Sequence, residues 1–192
     1  MSEKARLIIL EGFDRTGKDH LLDSFKKKHS DDYSCEAYVQ VIPPTKPDYR
    51  KDPLAFREWL IGHIGNQVDD LVELAKNGKK TLMLVRLLLT DVVYSTLFNR
   101  EQAVNRFHDK VFQNFNVENN VFLFKNYSEY LKRLEIIGDK EVEYSEDEFY
   151  KVNDLYVAAA QQFENLGAKS KFFYINGDEF LDKFLDDVEC SK

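Results

Sequence analysis

Gly12, Gly17 and Lys18 stand in the spacing Gly-x4-Gly-Lys, directly after the apolar run Leu7-Ile8-Ile9-Leu10 and just before LLDSFKKK. An apolar strand, a glycine loop and a helix in that order make a cradle for phosphate. The two glycines let the backbone turn its N–H groups inward with no Cβ in the way. The helix that follows aims its positive end at the anion, and Lys18 adds a full charge for the β- and γ-phosphates. The loop as a whole, Gly12, Asp14, Arg15, Thr16, Gly17, Lys18, Asp19 and His20, predicts a binding site for a nucleoside triphosphate such as ATP.

One position departs from the motif. A Ser or Thr hydroxyl normally follows the lysine and ligates Mg²⁺, but here the residue is Asp19. A carboxylate is also a hard oxygen ligand, so Asp19 is the candidate metal residue. The alternative is an acid in the first turn of a helix, favoured there by the helix dipole.

The elements that must position this loop are legible as alternating patterns. Five short runs read as strands: Arg6–Leu10, Glu36–Ile42, Thr81–Arg86, Asn120–Lys125 and Lys171–Asn176. Their continuous apolarity suits strands buried on both faces of a parallel sheet. Helical periodicity covers Leu21–Lys28, Pro53–Ala75, Asp91–Phe115, Ser128–Glu135, Ser145–Leu166 and Glu179–Val188. Pro53 suits a first turn, and Asn77-Gly78 and Gly167 suit helix stops. The expectation is an α/β fold, a doubly wound five-stranded parallel sheet flanked by helices, forming one domain over residues 1–192. Ligands in such sheets bind beyond the carboxyl ends of the strands, where the glycine loop lies. The polar stretch over about 135–145 reads as a short lid.

Composition narrows the classes. A content of 43% hydrophobic and 14% aromatic residues is that of a globular chain. A net charge of −7 argues against non-specific adhesion to nucleic acid or to an anionic membrane. No apolar segment reaches membrane-spanning length, and MSEKAR lacks a signal-peptide core. Cys35 and Cys190 have no pairing or metal-ligand spacing, which makes a reducing, cytoplasmic setting the expectation.

The run LIILEGFDRTGKD resembles the start of the thymidylate kinase family: an apolar strand, then Glu-Gly-x-Asp-Arg-x-Gly-Lys and a Ser or Thr. The order of elements is similar over nearly the whole chain. LMLVRLLLTDVVYS resembles the family's Asp-Arg-Tyr segment, VFLFKNYSEYLKR the strand and helix before the lid, and DKEVEYSEDEFYKVNDLY the lid and the next helix. The resemblance implies that Arg15 reaches the transferring phosphate, that Asp14 contacts the acceptor sugar and that Arg86 holds the acceptor phosphate. With Lys18 these make the catalytic set, since phosphoryl transfer is mainly positioning and charge neutralisation. It also places Thr90, Tyr94 and Ser95 at the acceptor, and Arg133, beside Lys132 and Lys140, near the triphosphate. Mg²⁺ is implied as a cofactor, and a homodimer is compatible with the family.

The chain departs from the family elsewhere. The Asp before the strand-end arginine is Val85 here, so Asp19 is a candidate replacement for its charge. The arginine expected after the second strand is absent, with only Gln40 or Lys46 nearby. REWLIGHIGNQ offers Trp59 for stacking and His63 or Asn66 for a polar base contact, or else ordinary packed and solvated residues. Three functions follow. The first is ATP-dependent transfer to a deoxypyrimidine monophosphate of dTMP type, with or without a modified base. The second is phosphorylation of a base hydroxyl within DNA, and the third is nucleotide binding without turnover.

Overall fold

The computed structural model describes residues 3–40, 42, 46–49, 51–137, 143–175 and 184. At its centre are β1 (Ala5–Gly12) and β4 (Phe115–Phe124), flanked by β3 (Thr81–Val85) and β2 (Cys35–Tyr38) on one side and β5 (Lys169–Ile175) on the other. The order is β2-β3-β1-β4-β5 and every pairing is parallel. This is the expected five-stranded α/β architecture. Leu7, Ile8, Ile9 and Leu10 are fully buried, as a strand covered on both faces requires.

The helices are α1 (Lys18–Lys28), α2 (Pro53–Lys76), α3 (Leu88–Leu97), α4 (His108–Asn114), α5 (Tyr127–Ile137) and α6 (Glu146–Glu164). Pro53 occupies the first turn of α2, where its missing N–H costs nothing, and the Asp52 side chain accepts from the Ala55 amide at 2.9 Å. α6 opens on a capping box in which Ser145 and Glu148 satisfy each other's backbone amides. The helix expected over Glu179–Val188 lies outside the described residues apart from Phe184, which is buried against Phe122 and Phe173.

The single helix expected over Asp91–Phe115 is not formed. α3 stops at Leu97 because Asn99 takes a left-handed backbone (φ 49°). The Arg100 amide then returns to the Ser95 carbonyl at 2.8 Å and that of Asn99 to Thr96 at 3.3 Å, a Schellman closure. A 3₁₀ turn (Ala103–Arg106) folds back, held by the buried Asp91 carboxylate, which accepts from the Val104 amide at 2.8 Å. β4 also begins five residues earlier than its apolar run. Phe115 and Val117 point inward, while outward Glu118 takes a two-point ion pair from Arg6 at 2.9 and 2.8 Å. That alternation has the period of a strand rather than of a helix.

Among the described residues no helix is long and apolar enough to cross a membrane. They include no free cysteine: Cys35 is buried and disulfide-bonded, against the expectation of reduced thiols, and Cys190 lies outside the described residues.

Candidate active site

Gly12 ends β1 at φ 116°, and a Cβ there would sit 2.0 Å from the Phe122 carbonyl oxygen of β4. Any other residue would push the two central strands apart. Phe13 then turns into the core, fully buried, with its ring 5.2 Å from Phe149 and 5.9 Å from both Phe124 and Tyr144. It anchors the loop to α5 and α6. Arg15 (φ 64°) and Gly17 (φ 83°) supply the left-handed turns that lead into α1. Lys18 is buried, and its ammonium donates to the carbonyls of Gly12 and Phe13 and to Thr16 Oγ1. Incoming phosphate oxygens would take over that ammonium from the loop's own oxygens.

Two side chains brace the loop from outside. Tyr156 of α6, fully buried, donates its hydroxyl to the Gly12 carbonyl at 3.1 Å. Glu11 is also fully buried, and its carboxylate accepts from the amides of Leu87, Leu89 and Thr90 at 3.1, 2.9 and 3.1 Å and from the Thr90 hydroxyl. α3 has no side-chain cap of its own, so an acid from the neighbouring strand satisfies its orphan amides. Burial pushes the Glu11 carboxyl above the ordinary range, and these four donors pull it partly back.

Arg86 follows β3 at φ 61°, its amide held by the Leu10 carbonyl at 2.9 Å. Its guanidinium is ion-paired with Asp14 of the loop, and its Nε is buried with no hydrogen-bond partner among the described residues. Arg15, Arg86 and Asn99 are the non-glycine residues with left-handed backbone among those described. Such conformations cost on the order of 1–2 kcal/mol each. They gather where function needs an over-determined geometry.

Beyond Arg86 opens a cavity of about 570 Å³ between α2 and α3, the size of a small-ligand site. Tyr49, Phe56, Trp59, Tyr94 and Phe98 bring aromatic rings to its walls. Thr90, His63, Gln67 and Arg100 also line it. Trp59 and His63 stack on each other at 4.7 Å and 15°. Burial and the nearby Lys46 charge hold the His63 imidazole below its ordinary pKa. Tyr94 accepts a hydrogen bond from Tyr144, just before α6, at 3.1 Å, and its burial pushes its phenol upward.

The remaining expected residues are distributed as follows. Asp14 is half-buried, and Asp19 and His20 are exposed on the first turn of α1. Arg133 reaches the loop, with Nε donating to the Arg15 carbonyl at 3.4 Å. Lys132 pairs with Glu129 at 2.9 Å, and residues 138–142 of the expected lid, including Lys140, lie outside the described residues. Ser95 is fully buried behind the cavity wall, bonded to Asp91 at 3.2 Å, and Asn66 is exposed. Gln40 donates to Gln67 at 2.8 Å, and Lys46 lies 5.7 Å over the rings of Phe56 and Trp59.

Three site residues escaped sequence reasoning: Glu11, Gln67 and Arg100. Glu11 carried a signal, an acid at the end of an otherwise apolar strand. Asn99 carried another, since Asn before a break in periodicity favours the left-handed helix stop that aims Arg100 inward. Gln67 carried none.

A metal fits only one part of the site. Glu11 is consumed by α3 and Asp14 by Arg86, which leaves the exposed Asp19 carboxylate next to Lys18. One carboxylate plus phosphates and waters is a donor set that suits Mg²⁺.

The loop, the parallel sheet and the cavity at its carboxyl edge together define a P-loop kinase fold. The chain is similar to YorR from Bacillus subtilis, solved with phosphorylated GDP, at 18% identity and a TM-score of 0.58 over 94% of this chain and 92% of that one. It is similar to deoxyadenosine kinase from M. mycoides with bound dATP at 16% and 0.62, covering 95% and 97%. Thymidylate kinase from Ehrlichia chaffeensis is similar at 11% and 0.58, covering 96% and 97%. No family model matches the chain, and no curated protein matches it in sequence. The architecture is that of P-loop nucleotide kinases.

Proposed function

We propose that this protein is an ATP-dependent kinase that transfers a phosphoryl group to a free deoxynucleotide, a nucleoside monophosphate of dTMP type. The observation that carries this reading is the position of Arg86, one ion pair away from the phosphate loop and on the wall of an aromatic cavity of nucleotide size. Donor phosphates held by Lys18 and the loop would face an acceptor phosphate held by Arg86. Arg15 would neutralise charge as it builds on the group in transit. Asp19 would hold Mg²⁺, which when bound screens the triphosphate charge. Trp59, His63, Thr90 and Tyr94 would form the nucleoside side of the cavity, with Asp14 between the two sites. The solved kinases of similar fold support nucleotides as the substrate class. A cavity of this size favours a free nucleotide over a base within DNA.

The test is incubation with labelled ATP and Mg²⁺ in the presence of deoxynucleoside monophosphates, DNA, or neither. Label transferred to a monophosphate, and lost in Lys18→Ala, is expected. Label on DNA alone would replace this acceptor with a polymer, and no transfer in any arm would leave a nucleotide-binding protein without turnover.

A further inference from the structure

The end of α1 remote from the phosphate loop carries a second cluster of chemistry. Lys18 opens this helix at the loop, and His29 caps its other end, its amide donating to the Phe25 carbonyl at 3.0 Å. The 11 residues of α1 put about 16 Å between the two ends. Two turns then follow back to back. The Asp32 amide donates to the His29 carbonyl at 3.1 Å, and the Cys35 amide to the Asp32 carbonyl at 3.0 Å. They gather three side chains where β2 begins: one ligand atom from each of His29, Asp32 and Cys35 lies within 4.8 Å of the other two.

Asp32 Oδ1 accepts from the Ser34 hydroxyl at 2.7 Å and the Ser34 amide at 2.9 Å, which orients the carboxylate and holds it below its ordinary pKa range. Its Oδ2 lies 3.7 Å from Cys35 Sγ. The His29 ring packs on Phe25 at 4.7 Å, and its Nε2 is buried with no hydrogen-bond partner among the described residues. An imidazole nitrogen, a carboxylate oxygen and a thiolate sulfur make a borderline-soft donor set that suits Zn²⁺. Ligand atoms around a tetrahedral Zn²⁺ stand about 3.3–3.8 Å apart, given bonds of about 2.0–2.3 Å, so a small side-chain movement closes the set. Exposed Asp32 gives an ion its way in from solvent.

Cys35 is disulfide-bonded, and a sulfur held in a disulfide is no thiolate. Cys190 is the only other cysteine of the chain. We propose that His29, Asp32 and Cys35 form a site for a zinc-class divalent metal in the reduced protein, and that metal and disulfide exclude one another at Cys35. A dithiol reductant gives two electrons and two protons to the disulfide and becomes a disulfide itself, leaving two cysteine thiols. Zn²⁺ then takes the Cys35 sulfur as thiolate, and the thiol proton leaves to solvent. The site lies where β2 and β3 begin, away from the carboxyl edge of the sheet, so it does not depend on the kinase reading.

Co²⁺ is the probe, because its absorption reports thiolate ligation and tetrahedral geometry. The full-length protein, reduced with a dithiol and freed of it under nitrogen, is titrated with Co²⁺ and then with Zn²⁺. One equivalent of Co²⁺ with a thiolate-to-cobalt band, displaced by Zn²⁺, is expected from the reduced protein, and no band from the oxidised one. Cys190→Ser, which cannot form the intrachain disulfide, should show the band without reductant. His29→Ala and Asp32→Ala should each weaken Co²⁺ by at least about ten-fold, with circular dichroism confirming that they are folded. No band in reduced wild type and none in Cys190→Ser overturns the site. A band retained in Cys35→Ser, or Co²⁺ affinity unchanged in a folded His29 or Asp32 variant, overturns the ligand set. An equal band in the oxidised protein overturns the exclusion between metal and disulfide.

Discussion

Asp14 and Arg86 form an ion pair that joins the phosphate loop to the end of β3. The loop carboxylate thus neutralises the guanidinium that lines the cavity between α2 and α3. On the proposed reading, an arriving acceptor phosphate would compete with Asp14 for Arg86 and would release Asp14 toward the acceptor sugar. Both residues are more than a third exposed, so the pair itself adds little stability.

Arg86→Ala should therefore weaken a monophosphate acceptor by about 1.5–3 kcal/mol, the loss of a charge-assisted hydrogen bond. Nucleosides lacking that phosphate should bind both proteins alike. Asp14→Asn, which frees Arg86, should tighten the monophosphate or leave it unchanged. Calorimetric titration of nucleoside and nucleotide against the three proteins checks this, and equal losses for both ligands would assign Arg86 a structural role.

Arg15→Ala should lower kcat by roughly 10³–10⁵-fold with little change in ATP affinity. Its charge matters when the transferring group develops its own, which places the effect in the rate rather than in ground-state binding. Steady-state kinetics paired with direct ATP titration separate the two, and a change confined to the Michaelis constant would make Arg15 a donor-positioning residue.

Asp19→Thr should abolish turnover or shift it to other divalent metals. The chain lacks the strand-end acid, having Val85 in its place, so a neutral hydroxyl at 19 leaves the cation short of charge. Rates measured across Mg²⁺ and Mn²⁺ concentrations decide it. Full Mg²⁺-dependent activity in the variant would sink the compensation between the two positions.

Glu11→Gln should lower stability by about 1–3 kcal/mol, because an amide NH₂ faces amides that need an acceptor. For a chain of this size, the thermal midpoint drops by about 2–4 °C for each kcal/mol. Calorimetry reads this directly. An unchanged midpoint would mean that α3 finds another cap.

His63 should titrate below its ordinary value of about 6.5, since burial and Lys46 both disfavour the imidazolium. A lowered folded pKa means that the unfolded chain binds more protons as the pH falls through 6.5 toward the folded value. His63 thus contributes stability that is present above about pH 6.5 and lost below it, as the linkage sign requires. The partial exposure of the ring keeps the effect small. A proton NMR titration locates the pKa, and His63→Gln should flatten the stability profile in that window.

The glycine loop was legible because its chemistry is local. Gly12, Gly17 and Lys18 act through backbone freedom and charge at a fixed spacing, and the adjoining strand and helix are encoded within a few residues on either side. The sheet was legible for a similar reason, since continuous apolar runs require burial on both faces. The break in the long helical pattern after Asp91 was not, because period alone is the same on both sides of a left-handed residue. Asn99 and the Asp91–Val104 contact decide it together. The cavity beside Arg86 belongs wholly to the tertiary structure. Gln67 and Arg100 lie 33 residues apart, with α2's end, β3 and α3 between them, and only the tertiary fold brings both to one cavity. Sequence by itself determined a phosphate loop on a parallel sheet. What faces that loop was decided by contacts between elements remote in the chain, whose hydrogen bonds leave no periodic trace.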